Sequence, residues 1–182
     1  HSNGYVNAAD MIRGLKKIGN FEIVVAGYPE KHPDSPSLEA DIENLKQKVD
    51  EGADKIISQF FFEKETFLRF RDRALSAGIK IPIIPGIIPI DNYEKIYKFS
   101  QNCGTTVPLW IKKEFESCKN ISEYFNFVST KIISDLVYNL QSEGVREFHL
   151  YTLNKCKLSL IACTRLLYGD YSLKEMEEVY KN

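Results

Sequence analysis

The chain has 182 residues, 43% of them hydrophobic and 27% charged, with a formal net charge of -1 at pH 7. These values are ordinary for one globular domain over residues 1–182. Because Lys and Arg are balanced by Asp and Glu, the composition argues against a nucleic-acid surface. No apolar run approaches the ~20 residues of a membrane span, and the polar first residues do not resemble a signal peptide. Four cysteines without a Cys-x-x-Cys pair predict free thiols in a cytoplasmic protein.

Predicted helices and strands alternate along the chain. A helix over 5–17 is stopped by Gly19, and a strand follows over 21–27. Ser37 is a good N-cap for a helix that runs to about Asp50 and precedes a second strand over 54–62. Further helices are predicted over 64–77, 91–102, 108–118, 121–142, 155–167 and 172–181, and further strands over 81–88 and 147–153.

Four strands that are each followed by a helix are typical of a parallel α/β sheet. A complete (β/α)8 TIM barrel has eight strands and typically ~250 residues. Because the four strands are preceded by a helix, we expect about the second half of such a barrel, with four βα units plus extra helices. The chain begins at His1 and not at Met, which we interpret as a fragment, a processed product, or a chain with added residues at its start.

Polar side chains follow the first two predicted strands, where parallel sheets bind ligands. Tyr28 and His32 lie in the loop after the first strand and offer a flat ring and hydrogen-bonding groups. The alternative is that they pack around the neighbouring prolines. Gln59 lies in an otherwise apolar strand, where a buried amide needs partners. A flat ligand with adjacent donor and acceptor atoms, such as a pterin, would suit it; the alternative is an amide tied to the neighbouring strand.

The helix over 38–50 has two distinct faces. Its apolar stripe contains Leu38, Ile42, Leu45 and Val49, which must pack on the sheet. A second stripe contains Asp41, Asn44 and Lys48, roughly 95° away around the helix. An acceptor, an amide and a cation in one line suit ribose hydroxyls and a pyrophosphate. The alternative is a solvated flank.

Other patterns favour core positions or are absent. His149 within a strand and Phe99 within a helix are better explained as core residues by pattern alone. The chain contains no Gly-x-Gly-x-x-Gly turn, Walker loop, Gly-x-Ser-x-Gly elbow or metal-ligand cluster. Any cofactor is therefore expected in a barrel mouth and not on a dinucleotide-binding turn.

Several motifs in order along residues 5–167 resemble methylenetetrahydrofolate reductase. The first reads Ala-Gly-Tyr-Pro-Glu-x-His-Pro at 26–33, and a later one reads Gln-Phe-Phe-Phe at 59–62. The other matching segments lie at 39–53, 70–73, 82–87 and 148–154. The resemblance implies a TIM barrel in which FAD, reduced by NADH or NADPH, passes a hydride to 5,10-methylenetetrahydrofolate and gives 5-methyltetrahydrofolate.

The resemblance also implies which residues bind each ligand. Those expected at the FAD are Ala8, Tyr28, His32, Ser35, Asp41, Asn44, Gln47 and Lys48. Those expected at the folate are Gln59, Lys95, Phe99 and Lys155. Gln59 would hold the pterin by its amide, and Phe99 would stack on substrate or nicotinamide.

The chain departs from the family pattern in two ways. Lys95 replaces a glutamine found in many bacterial members, and Lys155 replaces the usual arginine, which keeps the charge but loses the bidentate fork. The family's general-acid glutamate and flavin-tuning aspartate belong to the first half of the barrel, so no catalytic residue is expected here and the chain alone is expected to be inactive. The alternative is a short relative that binds flavin or folate without catalysis and completes its barrel as a homo-oligomer, by dimerisation.

Overall fold

The computed structural model describes residues 4–117, 122–154 and 156–168. Its four strands are β1 (Val24–Gly27), β2 (Lys55–Phe60), β3 (Ile83–Ile87) and β4 (His149–Leu150). They form one parallel sheet in the order β1-β2-β3-β4. Its helices are α1 (Ala8–Ile18), α2 (Leu38–Asp50), α3 (Lys64–Ser76), α4 (Tyr93–Cys103), α5 (Leu109–Ser117), α6 (Ser122–Ser142) and α7 (Cys156–Tyr168). The predicted parallel α/β order is confirmed within the described residues.

Side-chain caps place the helix starts later than the apolar pattern predicts. Asn7 accepts a hydrogen bond from the Asp10 N–H at 2.9 Å, so α1 begins at Ala8. Asn92 caps α4 in the same way through the Lys95 N–H. A capping side chain satisfies an N–H that has no partner within the helix, which fixes the first turn. The predicted helix over 172–181 lies outside the described residues.

The strands are shorter than their apolar runs. In β4 only His149 and Leu150 pair with β3. The Tyr151 N–H still donates to the Ile87 carbonyl at 2.8 Å, but Leu153 and Asn154 then adopt positive φ angles of 47° and 61°. Such left-handed residues turn the backbone out of the extended conformation, so the predicted strand over 147–153 ends early.

Helices cover one face of the sheet. In β2 the buried side chains are Ile56, Ser58 and Phe60, whereas the alternate side chains remain half-buried. Ile56 packs with α1, α2 and α3 through a cluster that includes Leu45 and Phe70. A second cluster joins β3 to α3, α6 and α7, and a third joins Phe60 to α4, α5 and α6. No helix of the described residues is long and apolar enough to cross a membrane.

The pairing of β2 with β3 shifts register between Ile57 and Phe60. Ser58 is fully buried there, and its hydroxyl accepts the Gly86 N–H at 2.9 Å. A β-carbon at Gly86 would come within 2.2 Å of the Ser58 carbonyl oxygen, so the two strands approach closely only because position 86 has no side chain. The Ser58 hydroxyl therefore takes the place of a main-chain acceptor where the ladder is irregular.

We expect Ser58→Ala to destabilise the fold by about 1–3 kcal/mol, because it leaves the buried Gly86 N–H without its acceptor. Ser76→Ala is the matched control, since that exposed hydroxyl only bonds the Asp72 carbonyl of its own helix and should change stability by less than about 0.5 kcal/mol. The free energy of unfolding in urea measures both. Equal small losses would contradict the role given to Ser58.

Candidate functional site at the carboxyl edge of the sheet

The loop after β1 folds tightly on itself. The rings of Tyr28 and His32 meet edge to face with their centroids 4.5 Å apart. Lys31 has a φ angle of 139°, and its ammonium group donates to the carbonyls of His32 and Ser35. The Ser35 N–H also donates to the His32 carbonyl at 3.0 Å, and Ser35 is buried. The loop is thus a preformed wall at the sheet edge rather than a loose connection.

The first turns of α2 hold this wall in place. Asp41 accepts the backbone N–H of His32 on one carboxylate oxygen at 3.1 Å. Burial first, and then the nearby negative charge of Asp41, raise the pKa of Tyr28, so its hydroxyl is a donor at neutral pH. Asp41 therefore has a structural contact that the helix pattern did not predict.

Lys48 reaches the edge of β1 from the same helix. Its ammonium group donates to the Ala26 carbonyl at 2.8 Å. Burial lowers the pKa of Lys48, while Asp41 acts in the opposite direction and favours the charged form. An ammonium group has three donors, so a half-buried Lys48 with a carbonyl partner is well suited to an additional anionic partner. Asn44 and Gln47, on the neighbouring turns, are exposed.

Gln59 lies at the end of β2 with its side chain half-buried. Its Oε1 accepts the N–H of Phe60 at 3.0 Å. The amide oxygen is therefore bonded within its own strand. The alternative left open by the sequence also tied this amide to a strand, but to the neighbouring one. The amide nitrogen remains the donor that this side chain can offer to a ligand.

The end of α4 and the residues after it pack at the carboxyl edge of the sheet, against Phe60 of β2 and the loop after β1. Phe99 stacks on Phe60 with ring centroids 5.5 Å apart and an interplanar angle of 18°. Thr105, just after this helix, donates to the Phe60 carbonyl at 3.1 Å, and the Thr106 N–H donates to Glu30 at 2.9 Å. Phe99 is 36% exposed, so the prediction of a core phenylalanine from pattern alone is wrong.

The structure brings most of the expected ligand-binding residues to one edge. Tyr28, His32, Ser35 and Asp41 are joined by the contacts above. Lys48 bonds the Ala26 carbonyl at the end of β1. Gln59 precedes Phe60 in β2, and the Phe60 ring stacks on Phe99. The remaining expected positions make none of these described contacts. Ala8 is exposed at the start of α1, Lys95 is exposed on α4, and Lys155 lies outside the described residues.

Three contributors to this edge were missed by the sequence analysis. Arg73 of α3 donates to the Pro29 carbonyl at 2.7 Å and so anchors the loop after β1 to α3. Tyr151 donates to the Ser58 carbonyl at 3.0 Å. Thr105 is the third. Arg73 and Tyr151 lie within matching segments, but nothing in those patterns identifies a partner more than 40 residues away.

His149, expected in the core, is half-buried with its ring against Tyr151.

The thiols of this region are free. Cys103 is half-buried at the end of α4 and Cys163 is half-buried in α7. Burial raises the pKa of both thiols, which favours the protonated form over the thiolate. The side chains of Cys118 and Cys156 lie outside the described part. Among the described residues, no three His, Cys, Asp or Glu side chains group together to hold a metal.

Comparison with known proteins assigns the chain to a family. The family model for methylenetetrahydrofolate reductase matches residues 1–166. The chain belongs to the methylenetetrahydrofolate reductase family. It is 46% identical over 159 residues to 5,10-methylenetetrahydrofolate reductase of Salmonella typhimurium, covering 87% of this chain and 54% of that one. A probable methylenetetrahydrofolate reductase (NADH) of rice, Oryza sativa, is 35% identical over 170 residues, which cover 87% of this chain and 29% of that protein.

The chain spans about half the length of the bacterial reductases that it matches. Among solved structures, an uncharacterized protein from Clostridium thermocellum that binds two copies of 5-methyl-5,6,7,8-tetrahydrofolic acid superposes with a TM-score of 0.58. The match covers 87% of this chain and 56% of that one at 17% identity. At this identity the likeness supports the fold alone.

We expect Asp41→Ala to loosen the loop after β1, because the His32 N–H loses its carboxylate acceptor. The cost should be about 1 kcal/mol, seen as about fivefold faster hydrogen exchange of the His32 amide. Asp50→Ala is the matched control on the same helix, since that exposed carboxylate pairs only with Lys46. Unchanged exchange at His32 in Asp41→Ala would contradict the structural role.

Proposed function

We propose that the protein carrying this chain reduces 5,10-methylenetetrahydrofolate to 5-methyltetrahydrofolate, with FAD as cofactor and NADH or NADPH as electron donor. The observation that supports this most directly is the position of Gln59 on the side of β2 opposite the buried Ser58 and Phe60, level with the start of the polar loop of β1, since Gly27 pairs with Ser58. The chain would supply one domain, the second half of a (β/α)8 barrel. The activity is therefore proposed for the complete barrel and not for these 182 residues alone.

The residues of the first βα unit fit FAD. When bound, FAD would accept a hydride from the nicotinamide and pass it to the folate. Lys48, half-buried and bonded to the Ala26 carbonyl, would use its remaining donors on the pyrophosphate. Asn44 and Gln47, exposed on the same helix, would bond ribose hydroxyls. Tyr28 and His32, fixed edge to face, would give the cofactor a rigid wall in which one ring presents its face.

The residues at the ends of β2 and α4 fit a folate. Gln59 would donate from its amide nitrogen to an acceptor atom of the pterin, because its oxygen is already bonded to the Phe60 N–H. Phe99 would stack on the substrate or on the nicotinamide, held by Phe60 behind it. Lys95 and Lys155 are the basic residues that would reach the rest of the folate. The general-acid glutamate of the family would come from the other half of the barrel.

In the complete barrel, we expect Lys48→Ala to weaken FAD binding by about 1.5–3 kcal/mol, because it removes a charge-assisted contact. Lys46→Ala is the control two residues away, since that lysine pairs with Asp50 on the helix surface. The dissociation constant is measured from flavin fluorescence on dilution, with thermal unfolding followed in parallel. Equal FAD affinity in both variants would mean that this face of α2 is only a solvated flank and does not bind FAD.

A second prediction separates the two ligands. In the complete barrel, Gln59→Leu removes both polar atoms at similar volume, so the pterin edge should lose roughly 1–3 kcal/mol of binding. The oxidative half-reaction with methylenetetrahydrofolate should slow or require far more substrate. Reduction of the flavin by NADH or NADPH should be nearly spared. Stopped-flow absorbance of the flavin follows each half-reaction, and an equal loss in both would assign Gln59 to the flavin or the fold.

A further inference from the structure

Hydrogen bonds from Tyr151, Gly86 and Thr105 converge on the segment 58–60. The Tyr151 hydroxyl donates to the Ser58 carbonyl at 3.0 Å, across 93 positions of sequence. The Ser58 hydroxyl accepts the Gly86 N–H at 2.9 Å and donates to the Gln59 carbonyl at 2.9 Å. These bonds lie where β2 and β3 shift register, so side-chain hydroxyls stabilise the main chain where regular pairing is interrupted.

This backbone geometry decides which end of the Gln59 amide is available. The Phe60 N–H can only donate, so the amide atom 3.0 Å from it must be the oxygen. An amide placed this way uses its oxygen for the strand and keeps its nitrogen, with two donors, out of that contact. The orientation of Gln59 therefore depends on where the Phe60 N–H points, and that in turn depends on the conformation of residues 58 and 59.

Tyr151 is itself fixed by its surroundings. Its ring meets His149 edge to face with centroids 4.7 Å apart and Phe60 with centroids 6.3 Å apart. A β-carbon at Gly86 would lie within 2.5 Å of the Tyr151 ring, so the ring lies directly over the glycine of β3. Burial raises the pKa of the Tyr151 hydroxyl, which keeps it a donor to the Ser58 carbonyl at neutral pH.

We propose that Tyr151 is a positioning residue for Gln59: by holding the Ser58 carbonyl, it keeps the end of β2 in the one conformation in which Gln59 presents its amide nitrogen to the folate ring. The proposal rests on the proposed function for the identity of the ligand. Tyr151 also lines a cavity of about 480 Å³ with Asp91, Asn126 and Lys157, so a direct contact with ligand is the competing explanation. The two explanations differ in whether the effect of Tyr151 requires Gln59.

A double-mutant cycle in the complete barrel separates them. The variants are Tyr151→Phe, which removes only the hydroxyl, Gln59→Leu, and the two combined; Tyr138→Phe, at a site 72% exposed on α6, is the control. Tyr151→Phe should weaken methylenetetrahydrofolate binding in the oxidative half-reaction by about 3- to 10-fold, the effect of one lost hydrogen bond. Flavin reduction should stay within about twofold, and the double variant should match Gln59→Leu.

Additive losses in the double variant would overturn the proposal in favour of direct contact, and an unchanged folate affinity in Tyr151→Phe would overturn it outright. Hydrogen exchange of the Phe60 amide, followed by NMR, gives a readout that does not need activity. The exchange should be faster in Tyr151→Phe and in Gln59→Leu than in Tyr138→Phe. If methylenetetrahydrofolate does not oxidise the reduced flavin of the protein, the proposed function is wrong. The hydrogen-exchange rate of the Phe60 amide would still decide whether Tyr151 positions the end of β2.

Discussion

The buried hydroxyl of Ser58 is the contact on which the candidate folate side of the site depends. β2 and β3 approach too closely at Gly86 for any side chain there, and their register shifts between Ile57 and Phe60. A main-chain N–H left unpaired at such a place would carry a large desolvation cost. Because Ser58 accepts that N–H, the strands can stay close while the chain bends, and Gln59 and Phe60 reach the edge in a defined orientation.

The candidate flavin side has a different physical basis. Its contacts join residues that are close in sequence: Asp41 to His32 across 9 positions and Lys48 to Ala26 across 22. Strand, loop and helix of one βα unit are sufficient to make them. Two contacts come from farther along the chain: Arg73 of the next helix bonds the Pro29 carbonyl, and the Thr106 N–H bonds Glu30. Burial lowers the pKa of Arg73, and so does the neighbouring charge of Arg69, so the carbonyl partner offsets part of the cost of placing a cation there.

The sequence predicted this local part well and the distant part poorly, for physical reasons. Apolar periodicity and the Ser37 cap predicted α2, and Ser37 indeed accepts the Ala40 N–H at 3.1 Å. The same pattern placed Asp41 and Lys48 on a second face, but could not show that Asp41 already bonds the His32 backbone. Phe99 was expected in the core because a helical pattern cannot show that the end of α4 packs at the sheet edge. Tyr151 lies in a segment that matches the family, but nothing in that segment identifies its partner, which is 93 residues away.

The two sides therefore depend on different amounts of the fold. The flavin side needs β1, α2, one arginine of α3 and the Thr106 N–H after α4, whereas the folate side needs β3, the end of α4 and Tyr151 after β4 to be in place together. Contacts across long sequence separations cost more loop-closure entropy than local contacts do. β4 contributes two residues to the ladder, so the tyrosine that follows it is held as much by ring packing and by its Ser58 bond as by the sheet. Any change that loosens β4 should thus disturb the end of β2, and with it Gln59, before it disturbs the loop that holds Tyr28 and His32.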